Sequence, residues 1–170
     1  MGTGCPDDSV SASLASDGTF LIVMFDQYIA SAGPGVAKTN NTKNCQLTFE
    51  LDFPAGWSLT VFDTRYDGFI SLGERVSATQ QSVYSWGQMP TAAFMSTWTG
   101  PIEHEDYVFT DSLVKSAYLW SSCSNGPSNL RIDTLIKVNN SKNKKGSGLL
   151  TTDSIEGKVT HKYGWKWKKC

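Results

Sequence analysis

Between Cys45 and Phe53 the chain reads CQLTFELDF, and every second side chain is apolar. Leu47, Phe49, Leu51 and Phe53 fall on one side of an extended backbone; Gln46, Thr48, Glu50 and Asp52 fall on the other. A period of two marks a strand with one face in a core and one in water. The same period returns in NLRIDTLIKV, with Leu130, Ile132, Ile136 and Val138 on one face and Arg131, Asp133 and Lys137 on the other. No run of similar length carries the 3.6-residue period of a helix. The pattern predicts an all-β fold, an antiparallel β-sandwich of about nine or ten strands, for which a jelly roll is one arrangement that fits.

Other segments extend this reading. TFLIVMFDQYIA is apolar at both parities, as expected of a strand that is covered on both faces or bulged. The sequence PAG at Pro54 to Gly56 breaks the first run as a hairpin turn would. WSLTVFDTRYDGFISL then starts one strand or a pair. ERVSATQQSVYSW, DYVFTDS and SAYLWSSC are shorter β-rich runs. Ser31 to Asn44 and Asn139 to Gly148 read as loops, the second basic and flexible in composition. No linker, repeat or heptad interrupts the chain. Residues 1–170 are therefore expected to form one domain, burying about 70% of the unfolded surface.

In KVTHKYGWKWKKC, Val159, His161, Tyr163, Trp165 and Trp167 share one parity. The expectation is that they enter the core, because burying a large aromatic is worth several kcal/mol. Lys158, Lys162, Lys166 and Lys168 would then form a solvated face that discourages edge pairing.

Cys5, Cys45, Cys123 and Cys170 are widely spaced and contain no C-x-x-C pair. Zinc ligands usually come in close pairs and redox motifs need C-x-x-C, so two structural disulfides in an oxidising compartment are expected. Four cysteines allow three pairings, and sequence does not choose among them. The pairing expected here, Cys5–Cys45 with Cys123–Cys170, clips each terminal strand to a nearer segment. The opening MGTGCP holds no apolar stretch of signal-peptide length, and the cysteines favour a mature secreted protein over a cytosolic one. Sequons at Asn40 and Asn139 agree with secretion. The longest apolar run, FLIVMF, is far short of the roughly 20 residues a membrane helix needs.

Charge is segregated. Nine lysines stand against Asp153 and Glu156 from Lys137 onward, whereas the first 136 residues hold fourteen acids and six bases. The plainer reading is that strands distant in sequence neutralise one another in space. A sequence pI near 6.1 argues against nucleic acid as a partner.

Candidate chemistry is sparse. His104 with Glu103, Glu105 and Asp106 has the donor types for a divalent cation, although solvated loop charge is the plainer account. Acid pairs such as Glu50 with Asp52 lie on an outer strand face, and no nucleophile elbow, HExxH or phosphate loop occurs. No catalytic residue and no cofactor is assigned. Trp57, Trp86 and Trp98 lie at turns or strand ends, where an indole can stack on a sugar; the plainer expectation is that they plug the open ends of the sandwich.

Several motifs carry a resemblance: GTGCP at Gly2 to Pro6, the whole run from Cys45 to Trp86, TGP at Thr99 to Pro101, and WSSC ahead of LRIDTLIKV. TTDS at Thr151 to Ser154 and the closing tryptophan-to-cysteine segment belong with them. The chain resembles small secreted proteins, mostly of filamentous fungi, grouped as a domain of unknown function. The resemblance implies secretion, two disulfides and a β-rich domain, and transfers no catalytic residue. Its members occur in plant-associated fungi, which implies effector or elicitor behaviour. The lysine-rich NNSKNKKGSG departs from the family pattern. The combined expectation is a non-catalytic, monomeric secreted fungal protein acting on a host or cell-wall component through loops 31–44, 87–106 and 139–148. A cell-wall glycan-binding module is the alternative, and an uncharacterised hydrolase is a more distant one.

Overall fold

A computed structural model describes residues 1–14, 16, 20–87, 92–112, 118–123, 126–152 and 159–170, with the backbone alone for Leu14, Phe20, Val61, Phe62 and residues 159–165. Eleven strands form among them. In chain order they are β1 (Val10–Leu14), β2 (Phe20–Phe25), β3 (Ile29–Ala32), β4 (Thr42–Leu51), β5 (Trp57–Leu72) and β6 (Ser77–Trp86). Then come β7 (Ala92–Thr99), β8 (Ile102–Ser112), β9 (Ser128–Asn139), β10 (Gly148–Thr151) and β11 (Val159–Lys169). The only helical element among these residues is a three-residue 3-10 turn at Lys38–Asn40.

Two antiparallel sheets face each other. The larger runs β1-β2-β11-β5-β10-β3, with β8 on the second edge of β5; the smaller runs β4-β9-β6-β7. In β9 the predicted alternation holds, with Leu130, Ile132, Ile136 and Val138 fully buried and Arg131 and Lys137 exposed. β2 buries Leu21, Val23 and Phe25, and half-buries Ile22 and Met24 on the other face, so both parities are apolar. Each large side chain so buried contributes about 2 kcal/mol.

The run from Trp57 is a single strand of 16 residues. It is bulged: Gly164 of β11 faces Asp63, but Trp165 faces Val61. An extra residue in one strand exchanges the inward parity. Thr64, Tyr66, Ile70 and Leu72 are buried on one side of the bulge; on the other, Leu59 is buried in the core, and Ser58 and Thr60 are buried on the opposite face beneath residues 120–121.

Cys5 bonds Cys45, and Cys123 bonds Cys170. The GTGCP turn is close-packed beside the first of these. A Cβ on Gly4 would fall 2.2 Å from the Tyr28 ring, and one on Gly2 would fall 2.2 Å from the Asn44 carbonyl oxygen. No other residue type fits either position.

Three segments read as loops are more ordered than their composition implies. Residues 31–44 hold the end of β3, the 3-10 turn and the start of β4; residues 92–106 are β7 and the start of β8, and residues 88–91 lie outside the described set. Residues 139–148 are tied down. The Asn143 amide donates to the Asn140 carbonyl at 3.0 Å, and the Gly146 amide donates to that of Asn143 at 2.9 Å. Asn143 Nδ2 donates to the Glu74 carbonyl at 2.8 Å, anchoring the loop to the β5–β6 turn.

Register defines two ends of the sandwich. At one end Thr42 pairs with Lys137 and Leu72 with Gly148; loops 33–41, 73–76 and 139–147 gather there. At the other end Leu51 pairs with Ser128, and Trp57 with Lys169.

Candidate functional site

The indoles separate sharply. Trp86, at 4% exposure, is core, and its Nε1–H donates to the Leu119 carbonyl at 3.0 Å. Trp98 is half-buried against Tyr107 and Phe109, with ring centroids 5.3 and 6.2 Å away. Trp98 therefore joins the packing between β7 and β8 and Trp86 the core beside Leu119, and both are withdrawn from the candidate binding set. Trp57 remains, 39% exposed, where β5 begins after the PAG turn.

Trp167 is 46% exposed, which corrects the expectation that it enters the core. It pairs with Leu59, and Trp57 with Lys169, so the two indoles are diagonal neighbours on one face of the β5–β11 pair. The facing sheet has run out at this level: β4 ends at Leu51 and the chain turns away through Phe53. The Phe53 ring meets Trp167 edge-on at 5.6 Å. The Cys170 amide donates to the Gly56 carbonyl at 2.8 Å, and the Cys123–Cys170 bond closes the corner. The side chains of His161 and Trp165 lie outside the described residues.

The opposite face of the same strands is aromatic and basic. Lys168 Nζ lies 4.4 Å from the centroid of the Trp120 ring; Lys166 Nζ donates to the Tyr118 hydroxyl at 3.0 Å. Of the lysine row read as plainly solvated, Lys166 and Lys168 thus rest on two rings, an attraction between cation and ring quadrupole, whereas Lys158 and the Lys162 side chain lie outside the described residues. Segment 118–121 is held by the Ser58 hydroxyl donating to the Ser121 carbonyl at 2.7 Å.

A buried acid escaped the sequence reading. Asp111, 2% exposed, points between the sheets from β8. Its Oδ2 accepts from the Ser82 hydroxyl and, at 2.9 Å, from the Tyr84 hydroxyl, which in turn accepts from Tyr66. Its Oδ1 is buried without a partner. Desolvation pushes the carboxyl up to about 6, against the lowering effect of the Ser82 and Tyr84 hydrogen bonds. The signal was present in EDYVFTDS, where Asp111 shares the parity of Tyr107 and Phe109.

Glu103, His104, Glu105 and Asp106 follow one another along β8 through an irregularity, where Ile102 faces Leu72 but Glu105 faces Ile70 and His104 has φ 47°, and all four are exposed. No group of three or more metal-ligating side chains forms among the described residues. The His104 ring meets Phe69 instead, at 5.9 Å. Asn40 and Asn139 both stand at the loop end, away from the exposed indoles.

A family model described as a domain of unknown function, DUF4360, matches residues 1–170. The chain belongs to this family. An "Uncharacterized secreted protein" of Arthroderma benhamiae is 36% identical over 171 residues, covering 99% of the chain and 68% of that protein. This DUF4360 chain is accordingly a secreted protein, and its two disulfides suit the extracellular side. No helix among the described residues is long and apolar enough to cross a membrane. Among solved structures, TmCBM61 in complex with beta-1,4-galactotriose is similar with a TM-score of 0.30 at 11% identity, over 100% of this chain and 86% of that one. The enzymatically active domain of bacteriophage CBA120 tailspike protein 4 gives 0.32 at 11%, over 94% and 18%. Scores this low carry no functional weight.

Proposed function

We propose that this secreted protein is a non-catalytic binding module that engages a neutral cell-wall polysaccharide through Trp57 and Trp167. The observation that carries the reading is that two diagonal indoles stay wet at the disulfide-closed end of the sandwich, while every other phenylalanine, tyrosine or tryptophan side chain among the described residues is at least half-buried. Leaving such apolar area in water costs stability, and exposed apolar patches of this kind mark binding sites. A pyranose ring offers a matching apolar face of C–H groups, and its hydroxyls remain solvated at the rim. A non-catalytic role is supported by Asp111, whose partners are hydroxyls rather than the second carboxylate that glycoside hydrolysis needs. Effector or elicitor behaviour at a host surface is the biological form that such wall binding would take.

Retention on insoluble β-glucan, cellulose and chitin tests the reading. The wild-type protein is expected to bind at least one of them, and Trp57→Ala or Trp167→Ala to weaken that binding about tenfold with unchanged melting. Failure to bind all three, or full retention by the double variant, defeats the proposal. Infiltration into leaves tests the effector role separately, and an inert folded protein would refute it.

A further inference from the structure

The loop end, remote from the indoles, has a charge imbalance of its own. Residues 33–43, 73–76 and 137–147 carry seven cations (Lys38, Lys43, Arg75, Lys137, Lys142, Lys144 and Lys145) and one carboxylate, Glu74. That is +6 in a chain whose total is −1. Glu74 is already paired with Arg75 at 3.3 Å. Among the described residues every ion pair within 4 Å uses arginine, and none of these six lysines is neutralised. Among the described residues none of these six lysines comes within 4 Å of a carboxylate from an earlier strand. Glu103, Glu105 and Asp106 begin β8 at this same end, beside the 73–76 turn, on the edge of β5 opposite β10 and so away from the 139–147 loop.

Two of these cations line a recess of about 600 Å³. Lys38 and Lys144 line it from opposite loops, with Asn41, Asn139, Asn140 and Ser141 between them. The loop hydrogen bonds described above hold this geometry, so little ordering entropy remains to be lost on binding. Among the described residues the lining contains no aromatic ring on which a base would stack, and none of the large exposed apolar side chains that would enter a bilayer. Two ammonium groups flanking amide and hydroxyl groups suit a ligand with carboxylates and hydroxyls along one chain.

We propose that this recess binds an anionic polysaccharide of the polyuronate type. Lys38 and Lys144 meet carboxylates of the sugar chain, the asparagine amides meet its hydroxyls, and the outlying lysines set the approach of the polymer. An N-glycan on Asn139 would stand over the recess, so the disulfide-bonded chain is assayed without N-glycans.

Polygalacturonate is the probe, with neutral β-glucan, phosphatidylserine vesicles and single-stranded DNA as comparators. Polygalacturonate is expected to bind more tightly than the comparators, and to weaken more than tenfold between 50 and 500 mM salt. Lys38→Ala with Lys144→Ala is expected to weaken it about tenfold at low salt without moving the melting temperature. Trp57→Ala is expected to leave it unchanged, so this proposal and the indole reading fail separately. Equal binding to DNA or to the vesicles would overturn the polyuronate site in favour of an unselective polycation. Salt-insensitive binding, or binding untouched by the double lysine change, would overturn it too.

Discussion

Replacing Cys123 and Cys170 together by serine is expected to lower stability by about 4 kcal/mol in the chain-entropy model. The bond closes a loop with a sequence separation of 47, and its loss returns that freedom to the unfolded chain. Both cysteines are exposed, so the serines bury no new polar group and the change reports the cross-link itself. For a chain of this length the melting temperature should fall by about 10 °C. Urea denaturation without reductant is the measurement. A loss below about 1 kcal/mol would mean that the unfolded chain is already held compact there. Because the bond sits beside Trp57 and Trp167, the same variant should also bind β-glucan less well near its melting range.

The second large effect is a pH dependence centred on Asp111. Its carboxyl titrates near 6 in the folded protein and near 3.8 when exposed. The folded state therefore holds the proton more tightly, and burial of the charged form counts against folding at neutral pH. Stability from this group is fully present below about pH 3.8, falls between there and about pH 6, and is lost above. The difference amounts to about 3 kcal/mol. The groups facing the carboxyl are Ser82, Tyr84 and, through Tyr84, Tyr66, with Thr64 opposite on β5. Tyr66 is held well above its ordinary range by burial, so it stays neutral throughout this window. Asp111→Asn removes the charge and keeps an acceptor for the two hydroxyls. Subtracting its unfolding free energy from that of the wild type, between pH 4 and pH 8, should give a difference that drifts against the wild type by about 2.5 kcal/mol. A flat difference would show that Asp111 is solvated well enough to ionise freely.

Strand character was legible wherever a strand has one wet face and keeps its parity. β4 and β9 could be read residue by residue, because polar and apolar side chains alternate without interruption. β5 could not, because the bulge beside Val61 moves the inward set from even to odd positions, and no local residue announces it. β11 was legible as a strand but not as a surface. The parity that places Trp167 on the inner side is correct, but how far the opposite sheet extends is a tertiary matter. Trp86 and Trp98 show the reverse failure: both are near strand ends in sequence, and both are covered by β8 or the segment at Leu119. The acids of β8 illustrate a further limit. Glu103 and His104 fall on an irregularity of β8, and adjacency in sequence brought no three metal-ligating side chains together among the described residues. In the loop at residues 139–147, composition suggested mobility, but asparagine side chains supply the hydrogen bonds that hold it. The cysteine spacing excluded metal and redox motifs, although three pairings remained open until the strands were placed.

The place of β11 between β2 and β5 has a consequence for biogenesis. As the polypeptide leaves the ribosome, β2 and β5 emerge early, and the strand that joins them is made more than 85 residues after β5 ends. Until residue 169 is available, two apolar strands face each other with open backbone edges, and the larger sheet has no centre. The larger sheet can therefore close only once β11 has been made, at the slow pace of distant strand pairing. In that interval the unpaired edges are where a holdase would act and where misassembly between chains would begin.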